Sequence, residues 1–328
     1  MTLSARITGW GKYLPGRVMT NHDLEGYLDT SDDWIVTRTG IRERRIAADD
    51  ETASTMGVAA AQEALVKAGL TARDLDLIVT ATCTGERVFP ATSSLIQHGL
   101  GAPHVGAFDV NAACSGFVYA LAVARRFVES GGHRNVLVVG TEVFSRILDW
   151  QDRGTCVLFG DGAGAVVLQA SDQGGGILSS VIGSDGSGAD SLYVPGICAS
   201  PNDPVMNGHY YVSMNGPQVF KFAVRTIADA TRQAVRDAGL SLDDIDLLIP
   251  HQANLRIISA AAETLGIPLE NVFMNVEKYG NTSAASVPIA LCEAADSGAL
   301  SAGQKVALVA VGGGLSWGAI VLEWSAAS

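Results

Sequence analysis

The chain has 328 residues, 48% of them hydrophobic and only 17% charged, which gives enough apolar material for two packed lobes and argues against disorder. Its net charge of −12 removes general nucleic-acid binding from consideration, because a phosphate backbone needs a basic face. No run reaches the about 18 apolar residues that span a bilayer, and "MTLSARITGWGKYLPG" lacks the apolar core of a signal peptide.

Five cysteines, Cys83, Cys114, Cys156, Cys198 and Cys292, show no C-x-x-C spacing. Neither a disulfide framework nor a metal ribbon is indicated, and a reducing, cytoplasmic setting is expected. No metal site is expected.

Along the chain, the first unusual stretch is "RTGIRERR", which places Arg38, Arg42, Arg44 and Arg45 together in an acidic protein. It reads either as a solvated turn or as a seat for an anionic ligand. "ALVKAGLTARDLDLIV" (64–79) then reads as a helix closed by Gly69 and followed by a strand. In "FDVNAACSGFVYALAV" (108–123), Cys114 stands where a strand gives way to a helix whose apolar residues are Phe117, Ala120, Leu121 and Ala124. Cys114 is either packed filler or a nucleophile. A helix N-terminus favours the thiolate, so a lowered pKa is expected there.

"NVLVV" (135–139) reads as a buried strand, and "GAGAVVL" (162–168) closes the half. The glycines of "FGDGAGAVVL" lack the G-K-[ST] ending of a phosphate loop and serve close packing instead.

Beyond "SDQGGGILSS" the pattern repeats. "AVRDAGLSLDDIDLLI" (234–249), "NTSAA" (281–285) and "KVALV" (305–309) stand 170 residues after "ALVKAGLTARDLDLIV", "NAACS" (111–115) and "NVLVV". The closing strands, with Gly164 and Gly318 in register, are offset by only 154. The first half therefore carries about sixteen extra residues around "FSRILDWQDRGTCVLFG", and inserted loops commonly carry function. Two βα-rich halves are expected, 1–171 with the cysteine and 172–328 with His251 and Asn281. His251 follows a strand end, and Asn281 opens the helix equivalent to the one after Cys114. Alone, the first could be a satisfied core histidine and the second an N-cap. Equivalent strand ends in a duplicated fold meet near its axis, which would bring thiol, imidazole and carboxamide into one cleft. "GGGLSWG" (312–318) adds a loop able to approach closely.

"TSDDWIVTRTGIRERRIA", "FDVNAACSGF", "DRGTCVLFGDGAGA", "PHQANLRIIS" and "GNTSAASVP" with "GGGLSWG" together resemble the 3-oxoacyl-[acyl-carrier-protein] synthase III family, over essentially the whole chain. The resemblance implies an α/β thiolase-like fold: duplicated βαβαβαββ halves in five α-β-α-β-α layers, assembled as a homodimer. It implies decarboxylative condensation of an acyl-CoA primer, carried on Cys114, with malonyl-acyl carrier protein, and no cofactor, since CoA thioester is a substrate.

By the same resemblance His251 and Asn281 act in condensation, and the backbone N–H groups of Cys114 and Gly314 form the oxyanion hole. Trp34, Arg38, Arg153, Phe220 and Asn254 would bind CoA. Lys221 and the segment Gln252, Ala253, Asn254, Leu255 and Arg256 would receive the carrier protein. Phe144 would line the acyl pocket, and Phe89 would reach the partner's pocket across the dimer. Pro217 stands where some members have Asn, so that CoA contact is not carried over.

Two alternatives stay open: a related enzyme of secondary metabolism with a non-malonyl acceptor, and a silent partner subunit, which an intact Cys114, His251 and Asn281 disfavours. His22, His98, His104, His133 and His209 are expected at the surface.

Overall fold

The computed structural model describes residues 3–196 and 210–325, so Cys198 and His209 lie outside the described residues. The first half runs β1 (Ser4–Tyr13), β2 (Arg17–Thr20), α1 (Asn21–Glu25), α2 (Asp32–Thr39) and β3 (Glu43–Ile46). It continues through α3 (Ala53–Ala68), β4 (Leu77–Ala81), α4 (Thr92–Leu100), β5 (Gly106–Val110), α5 (Gly116–Glu129), β6 (Asn135–Val143) and β7 (Asp161–Ser171). The second half comprises β8 (Gly176–Ser184), β9 (Leu192–Tyr193), β10 (Ser213–Met214), α6 (Gly216–Asp237), β11 (Leu247–Pro250) and α7 (Leu255–Leu265). It ends with α8 (Val276–Tyr279), α9 (Ser286–Asp296), β12 (Lys305–Gly312) and β13 (Ser316–Glu323).

Two sheets carry the architecture, ordered β1-β7-β6-β4-β5 and β11-β12-β13-β8. The orders are the same path followed twice, with β8, β13, β12 and β11 in the places of β1, β7, β6 and β4. The duplication is incomplete in one respect. Where β5 stands in the first sheet, the second has only a single parallel bridge, Leu248 to Val272.

Strand sequences explain the layering. Neighbouring residues of β6 point to opposite faces, so Val136 and Val138 join the core around α5 and α9, while Leu137 and Val139 join the core under α3. Both faces are covered, which is why these strands are continuous apolar runs. A third core lies between α6, α7 and the outer face of the second sheet. The result is five layers, with α5 and α9 in the middle one. Fully burying a single Leu or Phe contributes about 1.5–3 kcal/mol, and Phe117, Leu121 and Leu291 are all fully buried in that middle layer.

Equivalent turns precede the two central helices. Ala113–Ser115 and Ser283–Ala285 are both single 3₁₀ turns, and Ala113 (φ 45) and Ser283 (φ 48) are both left-handed. Non-glycine residues rarely adopt that conformation, so surrounding contacts must impose it twice.

One imposing contact joins the halves. The first-half insertion returns through Leu158–Gly160 and pairs with the second half: Asn281 N–H donates to Leu158 O at 2.8 Å and Gly160 N–H to Asn281 O at 3.0 Å. A Cβ at Gly160 would sit 2.5 Å from Tyr279 O and 3.0 Å from the Arg44 Cβ, so only glycine permits this approach. Arg44 braces the same region. It is fully buried and donates to Asn21 Oδ1 at 2.9 Å and Val157 O at 2.8 Å.

Gly160→Ala should therefore destabilise the fold by about 1–3 kcal/mol through overpacking, lowering the thermal midpoint by several degrees at fixed protein concentration. Gly16→Ala, where nothing lies within 4 Å of the new Cβ, serves as the control and should leave the midpoint unchanged. Equal midpoints for the two variants would mean the insertion does not clamp the second half.

Candidate active site

Cys114 occupies the turn between β5 and α5, buried with 4% exposure. The glycine loop after β12 lies against it: a Cβ on Gly312 would come within 2.7 Å of Cys114 N. Hydroxyls fasten the two loops together. The Ser115 hydroxyl donates to Ala112 O at 2.8 Å, and its oxygen accepts from the Ser316 hydroxyl, also at 2.8 Å. The expected lowering of the Cys114 pKa does not occur in the free chain. Burial pushes the thiol up to about 12, against opposing pulls from the Ser283 hydroxyl and Cys114's own N–H. Desolvation outweighs the helix terminus because the thiolate has no nearby cation.

His251 follows β11 and is held by its N–H donating to Val309 O at 2.7 Å. Its side chain is buried, and desolvation draws its pKa down to about 3, so the imidazole is neutral at physiological pH. Its tautomer follows from its neighbour. Ser286 Oγ accepts from Gln252 N–H at 3.1 Å and lies 2.6 Å from His251 Nδ1. Among the described hydrogen bonds the Ser286 hydroxyl proton has no acceptor other than Nδ1, so the hydroxyl donates there and the ring proton is left on Nε2. Asn281, also buried, has its Oδ1 accepting from Ser283 N–H at 2.8 Å. That contact fixes the carboxamide so that its NH₂ is the end left to donate.

Cys114, His251 and Asn281 line one apolar cavity of about 130 Å³, together with Phe220, Ala253 and Asn254. Cys114 also lines a second cavity of about 440 Å³, with Phe144, Gly314, Tyr193 and Val212. The thiol thus stands between a narrow approach and a wider chamber. In the chamber, Phe144 stacks on Phe159 with ring centres 4.6 Å apart. Phe89 lies outside it, 83% exposed beside the equally bare Val88.

Trp34 lines neither cavity; its ring is covered by two guanidinium groups, Arg38 at 4.5 Å and Arg153 at 4.6 Å. Lys221 and Arg256 are exposed, and Arg256 lies 5.8 Å from the Phe220 ring.

Three expectations need correction. Gln252 is not available to a carrier protein: it is 1% exposed, and its amide braces Pro250 O, Phe273 O, Asn275 N–H and Val276 N–H. The arginine run is not one surface feature either, since Arg38 and Arg42 are exposed, Arg45 is half-buried and Arg44 is the internal brace. His133 is half-buried edge-on to Phe127 at 5.0 Å, whereas His22, His98 and His104 are exposed. Asn254 does line the approach, but its side chain also caps α7 and donates to Arg38 O at 3.0 Å.

Sequence reasoning missed Ser286, Ser283 and Glu142. Ser283 and Ser286 sit inside the motif that named Asn281, and Glu142 is the one charge in the apolar run "NVLVVGTEV". That isolation was the available signal. Among the described residues no cluster of three or more His, Cys, Asp or Glu side chains could hold a metal ion, and no helix is long and apolar enough to cross a membrane.

Residues 108–186 match the family model for 3-oxoacyl-[acyl-carrier-protein (ACP)] synthase III, and residues 235–324 match its C-terminal model. The chain is 53% identical to the beta-ketoacyl-[acyl-carrier-protein] synthase III of Roseiflexus sp. (strain RS-1), over 98% of this chain and 99% of that one. It is 48% identical to the corresponding synthase III 1 of Bacillus anthracis, over 98% and 99% of the two chains. The crystal structure of the Aquifex aeolicus VF5 synthase III superposes with a TM-score of 0.92 at 49% identity, covering 98% of this chain and 100% of that one. The priming β-ketosynthase of the R1128 polyketide biosynthetic pathway superposes at 0.93 with 42% identity, covering 99% and 97%. On sequence, fold and coverage together, the chain belongs to the 3-oxoacyl-[acyl-carrier-protein] synthase III family.

Proposed function

We propose that this chain starts fatty-acid synthesis by condensing an acyl-CoA primer with malonyl-acyl carrier protein, as a cytoplasmic homodimer. The observation that carries the reading is that one apolar cavity presents Cys114, His251 and Asn281 together.

The first half-reaction moves the acyl group from CoA sulfur to Cys114, with CoA leaving. The tetrahedral oxyanion is received by backbone N–H groups of Cys114 and Gly314. Among the described hydrogen bonds the Gly314 N–H has no acceptor, which supports that role. The second half-reaction begins when malonyl thioester loses CO₂. The electron pair released goes to an enolate whose oxygen is met by His251 Nε2–H and the Asn281 NH₂. Both donors are neutral and sit in an apolar cavity, where a fixed hydrogen bond to developing charge is far stronger than in water. The enolate carbon then attacks the acyl-Cys114 carbonyl, releasing 3-oxoacyl-carrier protein and the cysteine sulfur. No base is needed to form the carbanion, because decarboxylation supplies it.

The stacked Trp34 gives the adenine of CoA its seat: the base takes the face now covered by Arg153, whose guanidinium closes over it. Phe220 and Asn254 flank the pantetheine arm. Arg256 and Lys221, at the mouth, receive the acidic carrier protein together with Leu255 and Ala253. The bare Val88-Phe89 pair is the reach of each protomer toward its partner's acyl chamber. An apolar side chain left that exposed on a monomer favours coverage by a second copy.

The likeness to a polyketide-priming synthase supports one second reading, in which the same thiol loads a primer for specialised metabolism. The acceptor separates the two. Release of CO₂ from malonyl-carrier protein of fatty-acid synthesis supports the first reading, and its absence with an acylated Cys114 supports the second.

His251→Ala or Asn281→Ala should slow condensation by roughly 10²–10³-fold for each lost donor while single-turnover acylation by acyl-CoA stays within a few-fold of wild type. Mass spectrometry of Cys114 and CO₂ release read the two steps separately. Acylation lost in proportion to condensation would make His251 the base for the thiol.

Arg256→Glu should raise the KM for malonyl-carrier protein and leave acylation by acyl-CoA nearly unchanged. The defect should shrink as salt is raised, since exposed charges act through an ~8–10 Å screening length. An equal loss with both substrates would place Arg256 in the CoA approach instead.

A further inference from the structure

Glu142 has no part in the mechanism above, yet its side chain is fully buried beside the site. It stands at the end of β6, a central strand of the first sheet, where its backbone pairs with Gly162. The second-half turn Ser283–Ala285 rests on that strand. Two residues before Glu142, and so on the same face, a Cβ at Gly140 would come 2.5 Å from Ala284 O.

The Glu142 carboxyl collects five donors. Thr84 Oγ1 donates at 2.5 Å, Ser283 Oγ at 3.1 Å, Thr82 Oγ1 and Cys83 Sγ both at 3.2 Å, and the Cys83 N–H reaches the two oxygens at 3.3 and 3.2 Å. Burial raises the pKa of this group, and the hydrogen bonds act against that rise. The shared Cys83 N–H explains why an acid stands here rather than an amide. Glutamine would set its NH₂ beside that N–H, whereas both carboxylate oxygens accept.

Through these contacts one side chain joins two parts of the site. Thr82, Cys83 and Thr84 follow β4, and Cys83 lines the larger cavity with Cys114. Ser283 belongs to the turn that carries Asn281. Its hydroxyl donates to Glu142 Oε1, while its N–H donates to Asn281 Oδ1 at 2.8 Å. Among the described hydrogen bonds that N–H is the one contact to the Asn281 carboxamide. Ser283 is also left-handed at φ 48, a conformation that surrounding contacts must maintain, and its hydroxyl is fastened by Glu142.

We propose that Glu142 is a positioning residue for condensation: acting through Ser283, its carboxylate sets the Asn281 carboxamide at the angle that meets the enolate oxygen, and ties that donor to the wall of the larger cavity. No proton or bond is transferred to Glu142. Acylation uses the Cys114 sulfur and backbone N–H groups, so it does not depend on this line of contacts. Condensation does, because displacing a donor by an ångström can cost about 10²-fold.

This inference rests on the condensing reading, and the test separates the two. Glu142→Gln, Ser283→Ala and Asn281→Ala are compared singly, together with the two double variants that join Asn281→Ala to each of the other changes. Acylation of Cys114 by acetyl-CoA is followed by mass, and condensation by CO₂ release from malonyl-carrier protein. Glu142→Gln and Ser283→Ala should each acylate within a few-fold of wild type. Each should condense roughly 10–10²-fold more slowly, in kcat more than in KM for malonyl-carrier protein. In the Asn281→Ala background neither change should slow condensation further, because the group they position is gone. Alanine suits position 283, since the twin turn carries Ala113 in the same left-handed conformation, and Ser283→Ala decides the matter should Glu142→Gln fail to fold. Losses that multiply in the double variants, or a folded single variant that condenses at the wild-type rate, would overturn the positioning role and leave the condensing reading intact. A wild-type enzyme that acylates Cys114 but releases no CO₂ would sink both.

Discussion

The site depends on one backbone pairing, in which the strand-like return of the first-half insertion seats itself against Asn281. Two hydrogen bonds, Asn281 N–H to Leu158 O and Gly160 N–H to Asn281 O, make the second-half turn an extension of the first-half loop. Asn281 is thereby positioned by residues about 120 places earlier in the chain. The same insertion carries Phe159, which lines both cavities, and Arg153, which covers Trp34. A single loop thus touches both cavities and the Trp34 ring. Its backbone must be stiff for that to work, and buried Arg44 stiffens it by donating to Val157 O.

Burial sets the chemical style of the centre. Water exclusion makes a charged imidazole or a bare thiolate unfavourable, which is why His251 is pulled down to about 3 and Cys114 pushed up to about 12. What remains effective is a set of neutral donors fixed in place: an Nε2–H, a carboxamide and backbone N–H groups. Such donors are matched to an enolate and a tetrahedral oxyanion, which carry charge only in passing, and they need no reorganisation when it appears. A thiol so hard to ionise cannot be explained by the helix terminus alone.

Much of this was legible from the sequence because duplication leaves a periodic record. The constant offset aligned "NAACS" with "NTSAA", and the structure gives those segments the same 3₁₀ turn and the same left-handed residue. Strand and helix periodicity marked two βα-rich halves with strands covered on both faces, whereas the five layers were implied by the family resemblance alone. Burial within motifs was not legible. "PHQANLR" and "RTGIRERR" look polar and hence exposed, yet Gln252 and Arg44 are among the most enclosed residues, since each saturates backbone groups that would otherwise be orphaned in the core. Nor could spacing reveal Ser286 or Glu142. Their roles come from hydrogen bonds across the fold, to residues 35 and 141 positions away.

The twin turns also explain how one scaffold could divide a reaction in two. At equivalent places the first carries Ala113 and Cys114, the second Ser283 and Ala284, so the thiol is on one copy and the hydroxyl on the other. Had both copies kept a cysteine, two thiols would compete for one acyl group. Had both kept Ser, neither would accept it readily at neutral pH. On the proposed reading, covalent chemistry belongs to the first half and charge stabilisation to the second, with Asn281 and His251 on its loops. The halves are locked by backbone pairing rather than by a flexible linker, and the apolar middle layer of α5 and α9 resists sliding. Distances across the axis are therefore fixed by packing, and Cys114 already shares one cavity with His251 and Asn281.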